Sequence, residues 1–199
     1  MEPERKKRRV LVKSLKVFLV LAGGAGPMGA NLFGSLPKVN QDARILVDFS
    51  NLVQTYATLH KQQESSLVPL KLTIEPAKIV EHQQLLASKI RSARVNAVEG
   101  EIFTPEVRKA LSPIIRRHFR GPYAGPSLLT IKQGNPVKMR LHINEVYPEG
   151  VPWTTVPPSL LQNLPHLPKE VEYRIVDRDL ILWDVKANLV VDVFRQAIP

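Results

Sequence analysis

Apolar residues recur through the first half of the chain at helical spacing. Between Asp42 and Glu64 they stand at Ile45, Phe49, Leu52, Tyr56 and Leu59, and intervals of 4, 3, 4 and 3 put all five on one helix face. Ser65 and Ser66 end this run, with Pro69 beyond. A second helix is expected from Pro76, a residue suited to a first helical turn. Ile79, Leu86, Ile90, Ala93 and Ala97 form its apolar stripe, and Gly100 is its stop. Thr104-Pro105-Glu106 has the order of a cap, a first-turn proline and an acid near the positive helix end. Val107, Leu111, Ile114 and Ile115 would supply the buried side of this third helix, which Pro113 is expected to kink or divide. Three amphipathic helices with short connections predict a helical hairpin or small bundle over residues 36–120.

The pattern changes after Gly121. Two Gly-Pro steps around Tyr123, within Gly121–Pro126, mark a hinge or boundary. Val137 to Val146 alternates as a strand would, with Met139, Leu141 and Ile143 on one face. Residues 148–168 contain six prolines and predict an extended surface segment, neither helix nor central strand. Three strands close the chain, at Val171–Val176, Leu180–Val185 and Leu189–Val193, joined by turns at Asp177-Arg178-Asp179 and Lys186-Ala187-Asn188. In the middle strand Leu180 and Leu182 share one face, and Ile181 and Trp183 the other. Both faces therefore need covering, with the helices as candidates. The expected class is α+β, with N-terminal helices and a proline-rich link leading to an antiparallel β-meander over residues 121–199. One shared core is expected, with separate helical and strand modules as the alternative.

The first 35 residues change this picture. Arg5 to Lys16 is a basic run, and Val17 to Ala22 is apolar, followed by Gly- and Ala-rich sequence to Ala30. Such an order belongs to a secretory signal. Arg8, Arg9, Leu11 and Lys13 also follow the twin-arginine order, although phenylalanine is commoner where Leu11 stands. Three alternatives are a nuclear-type basic cluster, an uncleaved membrane anchor and a disordered tail. The glycines and Pro27 make Val17–Phe33 a poor spanning helix. The charge of +10 is divided accordingly, because seven cations and two acids in residues 1–35 leave only +5 for the remainder. Arg116, Arg117 and Arg120 form the densest later cluster. They are candidates for anion contact, with Phe119 able to stack on a base, or else simply cations favoured at a helix C-terminus.

No constellation specifies a reaction. The absence of cysteine excludes thiolate metal sites, disulfides and cysteine nucleophiles. The five histidines are scattered, and none has another three to five residues away. Asp177, Asp179, Asp184 and Asp192 could gather oxygen ligands, but are more simply read as solvated turn and edge carboxylates. Ser127 lacks the Gly-x-Ser-x-Gly elbow, and nothing joins it to His142. Gly23-Gly24-Ala25-Gly26 has no Walker lysine. No catalytic, cofactor-binding or metal-binding residue is therefore assigned.

Glu172 to Val193 combines a Tyr-Arg strand, a polar turn, an apolar strand carrying an acid, and a Val-rich strand. It resembles the terminal hairpin of RcnB-like periplasmic proteins of nickel and cobalt homeostasis. Leu85–Arg94, Glu101–Val107, Val146–Gly150 and the meander resemble a group of exported bacterial proteins without assigned function. These resemblances imply a periplasmic or secreted protein, or one anchored facing the periplasm, that binds another protein or an envelope component without catalysis. A metal-responsive accessory role is the first alternative. A cytosolic nucleic-acid binder is the second, should the basic N-terminus be retained. Nucleic acid is otherwise not the expected partner, and membrane contact would run only through an uncleaved N-terminal segment.

Overall fold

A computed structural model describes residues 40–71, 74–122, 124–134, 139–148 and 150–199, all within a compact unit spanning residues 39–199. The export-like segment with Arg8, Arg9, Leu11 and Lys13 lies outside the described residues. No described helix is long and apolar enough to cross a membrane. The class is α+β, with five helices and a four-stranded antiparallel sheet among the described residues.

Helix α1 (Gln41–Ser65) buries Phe49, Val53, Tyr56, Ala57 and His60, and the Asn40 side chain accepts from the Asp42 amide at its start. Helix α2 (Pro76–Ala93) packs against α1 through Leu86, Ala87 and Ile90. It ends before the expected Gly100, and Ile79 is exposed rather than part of the buried stripe. Arg94 closes the helix because its side chain turns inward to bond Asn144 and the Val191 carbonyl. Helix α3 (Pro105–His118) is capped by Thr104 and is not divided at Pro113. That proline lies on the exposed face, where the carbonyl it leaves unpaired meets water.

The expected hinge at 121–126 gives way to helix α4 (Ala124–Gly134), whose first turn holds Gly125 and Pro126, where a missing amide is harmless. Its last residue must be small. A Cβ on Gly134 would meet the Thr154 hydroxyl at 2.1 Å. The proline-rich stretch holds a two-residue edge strand β1 (Thr154–Thr155) and one helical turn α5 (Pro158–Leu161), both compatible with its prolines.

The meander is present as β2 (Val171–Val176), β3 (Asp179–Asp184) and β4 (Leu189–Phe194), in the order β1-β2-β3-β4. Asp177 and Asn188, in the two turns, take the left-handed backbone that Asp and Asn tolerate. One sheet face, with Tyr173, Ile175, Leu180 and Leu182, joins the helical core. Phe49 stacks on Phe103 and Tyr173 there, at 5.7 and 6.5 Å between centroids. The opposite face, with Ile181, Trp183, Val190 and Val193, is covered by Leu141, Tyr147 and Trp153 rather than by helices. The segment before Tyr147 is therefore not the expected strand. Its described part is irregular and turns at Asn144 in left-handed geometry; it meets β4 through a bridge between Val146 and Leu189 and through backbone bonds of Asn144 and Glu145 to Val190.

A bulge between Leu182 and Trp183 leaves Val191 without a partner on β3. Asp192 beside it is fully buried. Its carboxylate accepts from the amides of Gly100, Ile102 and Phe103 at 2.8, 2.8 and 2.7 Å, and from Val193 at 2.7 Å. The α2–α3 loop is thereby wrapped around a strand side chain, and Gly100 supplies the positive φ of 88° that aims its amide there. Asp192→Ala would strand these donors in the interior and is expected to cost about 3 kcal/mol or more of stability. Urea unfolding measures this, and a loss below about 1 kcal/mol would show that the cradle relaxes to water.

Candidate functional site

The densest set of buried polar groups joins the last turns of α1 to the β3–β4 turn. Tyr56 and His60 are one helical turn apart and project from the buried face of α1. Asp184 ends β3 and is fully buried. Its Oδ2 accepts from the Tyr56 hydroxyl at 2.7 Å and lies 2.6 Å from His60 Nδ1. Its Oδ1 accepts from the amides of Lys186 and Ala187 at 3.0 and 2.8 Å. The other imidazole nitrogen, Nε2, faces Glu64 Oε2 at 3.4 Å, and Lys186 Nζ bonds that carboxylate at 2.5 Å. Glu170 is also buried, with Lys61 Nζ 3.6 Å from its Oε1.

Burial works against a charged His60, but the bond and charge of Asp184, with smaller contributions from Glu64 and Glu170, outweigh it and raise the pKa. The Lys186 bond holds the Glu64 carboxyl below its ordinary value against a partial burial cost. Burial, the Asp184 charge and its hydrogen bond push the Tyr56 phenol well up, so it stays a neutral donor. His60 stands between the Asp184 and Glu64 carboxylates, 2.6 and 3.4 Å away, and its raised pKa favours the charged ring. Among the described residues, no hydroxyl other than that of Tyr56 bonds this pair.

Lys61, Glu64 and Lys186 form one wall of an open cleft of about 630 Å³, whose other side includes Leu70, Ile79 and His82. A second cleft of about 550 Å³ shares Leu70 and His82 and reaches Val68 and Leu85. Val68 and Ile74 are 86% and 97% exposed, and Leu70, Ile79 and Leu85 are also exposed. The α1–α2 connection and α2 thus carry five exposed apolar side chains.

The remaining candidates separate. Arg116, Arg117 and Arg120 are all exposed and share an open cleft of about 590 Å³ with Pro113 and Gly121. Phe119 is buried and cannot stack on a base, and His118 lies edge-on against it at 4.8 Å. Ser127 meets His118, not His142, with 3.0 Å between Oγ and Nε2. Burial lowers the His118 pKa, yet no described carboxylate orients this ring, and the contact ties α4 to α3. His142 is exposed beside Glu145. The four meander aspartates do not gather. Asp184 and Asp192 are buried hydrogen-bond hubs rather than solvated carboxylates, while Asp179 pairs with Arg195 at 2.8 Å. Among the described residues, no three His, Asp or Glu side chains are placed to hold a metal.

The comparisons with known proteins decide nothing further. No family model, curated protein or solved structure matches the chain.

Sequence reasoning missed the Tyr56–His60–Asp184 group. Its signals were a histidine four residues beyond Tyr56 and an aspartate inside the apolar run Ile-Leu-Trp-Asp-Val. A pH dependence follows from the raised pKa of His60. The stabilisation is complete below the imidazole's ordinary value, about 6.5, and is lost as pH rises through the folded-state value. Urea midpoints should therefore fall between pH 6 and pH 9 more steeply for the native chain than for His60→Gln. Parallel curves for the two would contradict the assignment.

Proposed function

We propose that this chain is a non-catalytic, exported bacterial binding protein whose protein partner docks on the apolar surface of the α1–α2 connection. One observation carries the reading: Val68, Leu70, Ile79 and Leu85 are exposed around two adjoining clefts. Exposed apolar clusters of this kind mark interaction sites, whereas single surface hydrophobics do not. Lys61, Glu64 and Lys186 would supply a polar rim on one side.

The sheet supports the same choice by exclusion. A partner strand could add only at an open edge. Arg94 and Arg108 donate to the β4 carbonyls of Val191 and Val193 at 3.2 Å, and residues 144–147 bond Asn188 and Val190 nearby. At the other edge, β1 has only two residues, and Thr154 is buried. Export rests on the basic and apolar order of residues 5–30, and the lack of catalysis on the structural duties of Asp184, Asp192 and His60.

A photo-crosslinking side chain at Ile79 in living cells should give a discrete adduct with one envelope protein. Leu85→Asp should reduce that adduct at least tenfold without lowering the thermal midpoint. An unchanged adduct in the variant would remove the proposed surface. The crosslinked chain should have lost about 25–40 N-terminal residues by intact mass, a signal-peptide length. Recovery as a full-length cytosolic protein would overturn export.

A further inference from the structure

The cleft of about 630 Å³ is assembled from segments far apart in the chain. Lys61 and Glu64 come from the end of α1, Ile79 and His82 from α2, and Val185 and Lys186 from the β3–β4 turn. Beneath this wall, Asp184 joins helix and turn through its two oxygens. Oδ2 meets Tyr56 and His60 of α1, and Oδ1 accepts from the amides of Lys186 and Ala187. At the surface, the bond between Lys186 and Glu64 crosses the same seam.

The charges along the seam balance in one protonation state only. Asp184 from β3, Glu64 from α1 and Glu170 just before β2 face His60, Lys61 and Lys186 through contacts of 2.5 to 3.6 Å. Asp184, Glu170 and His60 are buried, whereas both lysines are at the surface. With the ring charged, three bases match three acids. Once its proton is lost, two lysines face three carboxylates, and Asp184 keeps only neutral donors in Tyr56 and the two amides. Oε2 of Glu170 already lacks a hydrogen-bond partner among the described residues. The nearby Arg94 lies over the Tyr56 ring and pairs with Glu101. Buried charge left without a counter-charge is costly, and of these side chains the imidazole is the one that titrates near neutrality.

We infer that this seam is a proton-operated latch on the cleft: a charged His60 holds the β3–β4 turn to the end of α1, and loss of its proton frees Val185 and Lys186 from the cleft wall. Burial opposes the charge on His60, but Asp184, Glu64 and Glu170 together raise its pKa. The latch is therefore closed below the ordinary imidazole value, about 6.5, and opens as pH rises through the folded-state value. Its bearing on docking rests on the function proposed above: a partner seated in the closed cleft would be released as pH rises and, reciprocally, would hold the proton on His60.

The isolated full chain suffices for the test. Amide exchange followed by NMR, corrected for the intrinsic rate at each pH, reports local opening. Protection of the Lys186 and Ala187 amides should fall at least tenfold between pH 6 and pH 9 relative to that of Ile102 and Phe103, which bond Asp192 instead. The midpoint should coincide with the titration of the His60 ring, read from its carbon-bound protons, and the fall should be absent in His60→Gln. Parallel loss of protection at all four amides would mean global destabilisation and would overturn the latch. So would a midpoint displaced from that of the His60 ring, a comparison that needs no variant. A local fall that persists in His60→Gln would also overturn it and point to His82, the other imidazole on the cleft. Absence of the Ile79 adduct would remove docking without touching these exchange data, so latch and docking fail separately.

Discussion

Two carboxylates on neighbouring strands set the terms for the rest of this fold. A charge in the interior is tolerated only when donors surround it. Asp192 meets this with four backbone amides, and Asp184 with two amides, a phenol and an imidazole. Each set fixes a different part of the helical layer. Asp192 gathers the α2–α3 loop, which places Thr104 to cap α3 and Phe103 beneath Phe49 and Phe194. Asp184 holds the rotation of α1 about its axis, since only one face can present both Tyr56 and His60. Apolar packing glues the layers together, and the carboxylates determine their register.

Legibility in the sequence followed the range of the interactions. Helices α1 and α3 and the three long strands were readable because periodicity, caps and turns are local. Helix α4 was hidden by Gly125 and Pro126, which signal a break in mid-helix but are harmless in a first turn. The alternation before Tyr147 was misleading. Leu141 is buried because an irregular segment covers the second sheet face, so apolar spacing there reports burial without a ladder. The two aspartates were visible as acids within apolar runs, but their helical and loop donors lie 89 to 128 residues away. No local pattern predicts such partners. The arginine cluster was visible as charge, while the burial of Phe119 was not.

The same economy governs the surface. Sheets with open edges invite association, and here arginines from the helical layer cap one of them. Arg94 also lies over the Tyr56 ring at 5.0 Å and reaches Glu101, so it connects helix, loop and edge. With the edges closed, exposed apolar groups include those on α2, on its connection to α1 and on α4.

The position of the two aspartates along the chain has a consequence for how the protein comes to be folded. Their donors in α1 and the α2–α3 loop are synthesised first, and the acceptors follow 89 to 128 residues later. Before those residues arrive, Tyr56, His60 and the amides of Gly100, Ile102 and Phe103 have only water to satisfy them, and α1 has no sheet to lie against. The helices can form early but cannot settle. The helical layer reaches its final packing only once the meander is in place.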